Sequence, residues 1–144
     1  MNAPAARQQH LAQLVHAIGA DLRDYRVLQG LLDEQFEAAL RHRAAPLAEL
    51  AERITESVET LDLRRRDRIA LVEQLAGASA TIDAAFALIS PGSRATLEAG
   101  WHALEDLVRE CQRLNARNGR LMADQHSIMQ RVLFGEEGQT YAPA

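Results

Sequence analysis

The chain contains no lysine: all 16 of its basic residues are arginine, and one cysteine, Cys111, is present among 144 residues. The missing lysine reads as genomic base composition. The single cysteine excludes an internal disulfide and suits a reducing compartment. Aromatic residues make up only 4%, too few for a β-sandwich core or a platform for stacked bases. No apolar run approaches the ~20 residues of a membrane span, so no membrane insertion is expected. The opening "MNAPAARQQH" lacks a basic segment followed by an apolar one, and so lacks the pattern of a secretory signal. A net charge of −4 offers nucleic acid no long-range attraction. A cytoplasmic protein is the expectation.

Signatures of catalysis are scarce as well. His10, His16, His42, His102 and His126 never pair at a spacing of four, and no carboxylate–His spacing matches a zinc site. Asp124, His126 and Ser127 are close in sequence, but neighbouring helical positions point about 100° apart and do not converge. No glycine-rich phosphate loop is present. Neither cofactor nor metal is expected, and the chain reads as a non-enzyme. The one basic cluster, Arg64 to Arg68 in "RRRDR", has Asp62, Asp67 and Glu73 nearby. It reads as a salt-bridged face, with an acidic partner or nucleic acid as the alternatives.

What is present is helical. Ala, Leu, Arg, Glu and Gln dominate, and these are strong helix formers. From about Ala5 to Arg41, Leu11, Leu14, Val15, Ile18, Leu22, Tyr25, Leu28, Leu32 and Phe36 recur at steps of three and four. Pro46 marks a new first turn, and a second helix is predicted to about Ala76, with Gly77 as its stop. "SATIDAAFALIS" predicts a short helix capped by Ser79. After the "SPGS" turn, with Ser90 or Ser93 as the cap, a last helix is predicted from about Ala95 to Leu133. Its seam positions 97, 104, 111, 118, 125 and 132 are Leu, Leu, Cys, Asn, Gln and Val, a heptad row. The expected fold is all-α: an elongated antiparallel bundle of three long helices plus one short helix over residues 1–133, with a flexible tail over 134–144. A monomer or weak dimer is expected.

The last helix carries an anomaly, "NARNG", in its middle. Asn115, Asn118 and Gly119 are poor helix formers, each costing a few tenths to about 1 kcal/mol relative to Ala. Periodicity puts both asparagines on the apolar side. Two readings follow. The amides form a network inside the bundle, or they face a partner and set its register. In the second, Leu114, Leu121, Met122, Ile128, Met129, Val132 and Leu133 are the apolar anchors, with Gln125 repeating the polar interruption. Methionine suits surfaces that accept helices. Cys111, on the seam row, reads as a small hydrophobe.

These residues resemble those of a known family. Trp101, then Asn115, Asn118 and Gly119 in "NARNG", then Leu121 and Met122, and finally Phe134, Gly135, Gly138, Gln139 and Thr140 in "LFGEEGQT" match the pattern of the flagellar export chaperones of the FlgN family. The resemblance is specific over about residues 97–141. It implies a cytoplasmic chaperone of flagellar type III secretion. Such a protein binds the C-terminal helical segments of the hook–filament junction proteins FlgK and FlgL, prevents premature assembly, and delivers them to the export gate protein FlhA. It implies client binding by the last helix, through residues 114–133. It also implies gate docking by Phe134, Gly135, Gly138, Gln139, Thr140 and Tyr141. The family usually has Tyr where this chain has Phe134, so a hydroxyl is missing there. A helical scaffold or self-associating coiled coil is the competing class.

Overall fold

Residues 3–135 are described by a computed structural model. Four helices follow in order: α1 (Ala3–Leu40), α2 (Ala44–Ala76), α3 (Ile82–Phe86) and α4 (Pro91–Phe134). At ~1.5 Å per residue, the 44-residue α4 runs about 66 Å.

The α1–α2 turn is a Schellman motif. Arg43 N–H donates to Ala38 O at 3.0 Å, and His42 N–H to Ala39 O at 3.1 Å. His42 takes the left-handed position usually held by glycine, with φ 54°. The chain reverses within three residues, so α2 must run back along α1. Ala44 and Ala45 precede Pro46 inside the first turn of α2, where a missing N–H costs nothing. The short helix differs from expectation. Thr81, not Ser79, caps α3 by accepting from Ala84 N–H at 3.4 Å. Ser79 lies in the preceding turn with φ 60°, where its hydroxyl cannot meet the first-turn amides. The last helix starts at Pro91, earlier than expected, because a proline at the first position presets its φ. Ser90 holds the cap position but makes no side-chain cap bond.

α1 is the centre of the assembly. It packs along its length against α2 on one face and α4 on the adjoining one, while α2 and α4 barely touch. Successive long helices are antiparallel, so α1 and α4 run parallel. Three apolar clusters line α1 in sequence. Leu14 and Ile18 meet Val72, Phe86, Leu97 and Leu104 at one end. Leu28 and Leu32 meet Leu61, Cys111 and Leu114 in the middle. Leu31 and Ala38 meet Leu50 at the other end, without α4. Phe86 closes the first cluster edge-on to Trp101, with ring centroids 6.4 Å apart.

The "RRRDR" segment divides. Arg65 and Arg66 pair with Asp62 on the exposed face. Arg64 and Arg68 instead turn to α1, where Arg64 pairs with Asp24 and Arg68 donates to Asp21 at 2.6 Å. Arg68 also lies over Trp101, 5.1 Å from the ring centroid. The apolar stripe of α2 is interrupted here because α1 presents two carboxylates, 40 and 47 residues away in sequence.

Asp21 is only 1% exposed. Burial raises its carboxyl above the usual carboxylate range, and the Arg68 and Arg64 guanidiniums beside it reverse this only in part. A raised acid binds its proton more tightly folded than unfolded. Its favourable contribution is therefore complete below pH 3.8 and is lost as pH rises through the raised value. Compared by urea unfolding across pH 3.5 to 7, wild type accordingly loses ground to Asp21→Asn as pH increases. A constant difference, or the opposite slope, contradicts this account.

Candidate functional site

Three side chains of α4, one heptad apart, donate to three carbonyls of α1, also one heptad apart. Cys111 Sγ donates to Tyr25 O at 3.6 Å, Asn118 Nδ2 to Leu32 O at 2.7 Å, and Gln125 Nε2 to Ala39 O at 2.8 Å. Every pair is separated by 86 residues. That constancy is what parallel helices in fixed register produce.

Asn118 is fully buried and well satisfied. Its amide also donates to Gln35 Oε1 at 2.9 Å, and its Oδ1 accepts from Arg117 Nε at 3.1 Å. Arg117 stacks on Phe36, 3.8 Å from the ring centroid, and reaches Asp33 at 3.2 Å. Asn118 and Leu114 are thus engaged with α1 rather than turned outward. Asn115 departs from the expectation of an asparagine pair on one apolar face, because it is exposed while Asn118 is buried. The i, i+3 positions lie about 60° apart around the helix, and the edge of the α1 contact falls between them.

Asn115 stands on the wall of a groove. At its narrow end is a recess of about 210 Å³, with Tyr25, Leu28 and Leu32 of α1 as its floor. Its walls are Ile54 and Val58 of α2, and Val108, Cys111, Gln112 and Asn115 of α4. At its open end lies a larger hollow of about 690 Å³. Ala39 and His42 line it from α1 and the turn, Ala44 and Leu47 from α2, and Met122, Gln125, His126, Ile128, Met129, Val132 and Leu133 from α4. The two linings are the same helix faces shifted by two heptads: 108, 111, 112 and 115 become 122, 125, 126 and 129, Tyr25 and Leu28 become Ala39 and His42, and Val58 becomes Ala44. Neither contains a carboxylate or an arginine. Three other surface recesses all include charged side chains.

Beyond Gln125, α4 outruns α1, which stops at Leu40. Ile128, Met129, Val132, Leu133 and Phe134 are each at least half exposed there. Leu121, Met122 and Gln125 are half-buried. Gly119 is exposed, and a Cβ added to it would meet nothing within 4 Å. Gly135 ends the helix with φ 63°. Gly138, Gln139, Thr140 and Tyr141, with the expected flexible tail, lie outside the described residues. The α2 wall was not anticipated from sequence, although Ala44, Ala51 and Val58 form an uncharged heptad row that signals it.

The family model described as "FlgN protein" matches residues 1–134. The chain belongs to the FlgN family. Membership implies a flagellar export chaperone. Searches of curated proteins and of solved structures return no match. For a FlgN-family chain, a groove of this kind offers apolar burial and amide hydrogen bonds rather than reactive groups. Among the described residues no cluster of three or more His, Cys, Asp or Glu could hold a metal ion, and no helix is long and apolar enough to cross a membrane.

Burial pushes the Cys111 thiol up to about 11. At pH 8 only about one thiol in a thousand is then thiolate. Cys111 is expected to resist a disulfide reagent in the native protein and to react at once in denaturant; prompt native labelling would contradict its placement. Asn118→Ala is expected to lower the unfolding free energy by about 2 kcal/mol. Asn118→Leu restores part of that loss but broadens the amide NMR spectrum, because leucine does not distinguish one heptad register from the next. Sharp, native-like spectra with Leu would show that the register is held elsewhere.

Proposed function

We propose that this protein is a cytoplasmic flagellar type III export chaperone that binds the C-terminal helical segments of FlgK and FlgL. It prevents their premature assembly and delivers them to FlhA. The observation that carries this reading is the uncharged hollow at the open end of the bundle, flanked by the part of α4 that α1 does not cover. An amphipathic client helix would bury its apolar face against Met122, Ile128, Met129 and Val132, hiding a surface that otherwise polymerises. The contact requires no chemistry. Methionine adapts to clients of different shape, which suits a chaperone serving two. Phe134 and Gly135, at the helix end and away from the hollow's centre, are available for docking to the gate while a client is held.

Titration calorimetry with the C-terminal segment of FlgK tests the proposal. Ile128 and Met129 are 52% and 56% exposed, so glutamate at both positions leaves the fold intact by circular dichroism. Each side chain buried by a client contributes about 1.5 kcal/mol or more, so the double variant weakens binding at least ten-fold. Phe134→Ala keeps client affinity and loses FlhA affinity. An unchanged Kd for the double variant, with its helix content preserved, refutes the client surface.

A further inference from the structure

Client burial against α4 alone leaves the narrow half of the groove unexplained. We infer that the partner segment is an amphipathic helix of about six turns that lies lengthwise between α2 and α4, as a fourth helix on the floor formed by α1. The inference rests on the chaperone reading and adds α2 as a second wall.

Four observations support it. First, the narrow recess and the open hollow are one track. Their linings repeat at heptad spacing on α1, α2 and α4, as the two ends of a site for a straight helix must. From Val108 to Val132 the track is about 36 Å long. Second, it carries no formal charge in a chain that is 25% charged. A charged wall would have to be desolvated by an apolar ligand; this one would not. Third, the point between the two recesses is kept open. Heptad spacing puts Ala51 of α2 and Gly119 of α4 there, and none of the described residues occupies the place of a Gly119 side chain. Glycine within a helix costs about 1 kcal/mol relative to Ala, and no contact of the described chain calls for it. Close approach of a partner helix does.

The fourth observation identifies the occupant as another protein. α4 is followed by "GEEGQTYAPA", whose two glutamates and single large apolar side chain, Tyr141, give these residues no apolar face for the groove. A second copy has no free long helix to offer, because α1, α2 and α4 are each committed to the bundle. Only a partner helix of some 20 residues or more with an unbroken apolar face fills the track.

The test uses the full-length chain and the FlgK C-terminal segment. Val58, 48% exposed, lines the narrow recess, far from Ile128 and Met129. Val58→Arg puts a charge on the α2 wall, and Gly119→Leu fills the waist. The second is expected to raise thermal stability, since the position is open and Leu is the better helix former. Both weaken FlgK binding ten-fold or more. Val27→Arg, at a valine 56% exposed in a recess that already holds charges, leaves it unchanged. If wild type binds but neither Val58→Arg nor Gly119→Leu has an effect, the partner sits on the end of α4 alone; the groove inference falls and the chaperone reading stands. If neither wild type nor a chain truncated after Gly135 binds the segment, both fall. A dimer in sedimentation that Val58→Arg dissociates makes a second copy the occupant. A truncation after Gly135 that alone admits the segment makes the tail the occupant. Either result overturns the assignment to a partner.

Discussion

The structure depends on the parallel register of α1 and α4. Parallel helices separated by 50 residues of intervening chain have no short loop to align them, unlike α1 and α2. Apolar seams alone would let them slide by a heptad, because leucine meets leucine equally well in either position. The ladder of Cys111, Asn118 and Gln125 breaks that degeneracy, because its three side chains differ and Asn118 also donates to the Gln35 side chain. Its central member is buried at 0% exposure, where an unmet amide would cost about 1–3 kcal/mol. A one-heptad slip would still offer the amide a backbone carbonyl, of Tyr25 or Ala39, but would put Leu28 or His42 in place of the Gln35 side chain that also accepts from it. The ladder thus contributes less to stability than to uniqueness.

The groove is a consequence of the same geometry. One helix binds two others along adjoining faces, and the two outer helices stay apart. A closed three-helix bundle would bring α2 against α4, burying Val58 against Val108 at one level and Leu47 against Met129 at another. Here large side chains bridge α2 and α4 at the end where Arg68 lies over Trp101. Towards the other end α4 contributes nothing to the cluster around Leu50, and the walls open. The protein keeps a well-packed end and an unfinished one.

Much of this was legible in the sequence. Periodicity gives three long helices, the seam row and the position of Asn118 on it, because spacing along one helix is a local property. It does not give the partner of each face. Asn118 and Asn115 fall on adjoining strips of the same helix, yet one is sealed against α1 and the other looks across the groove. Which strip is covered depends on where α1 lies, and that is set by contacts 86 residues away. Arg64 and Arg68 are similar. Nearby Asp62, Asp67 and Glu73 suggested a self-contained charged face, while the decisive carboxylates are Asp21 and Asp24 on the preceding helix. Ser79 was a reasonable cap by type, but the left-handed turn before α3 moves that role to Thr81.

The constant separation of the ladder pairs also limits how such a chain can change length. A single residue inserted in α4 before Asn118 would rotate every later side chain by about 100°, detaching two of the three rungs at once. The same residue inserted in the loops flanking α3 would leave the rungs aligned. Seven residues added to α1 and α4 together would extend the ladder by one rung, and seven more in α2 would lengthen the groove by about 10 Å. Change in this architecture is therefore quantised: the connecting loops can drift residue by residue, while the paired helices can grow or shrink only in concert and by whole heptads.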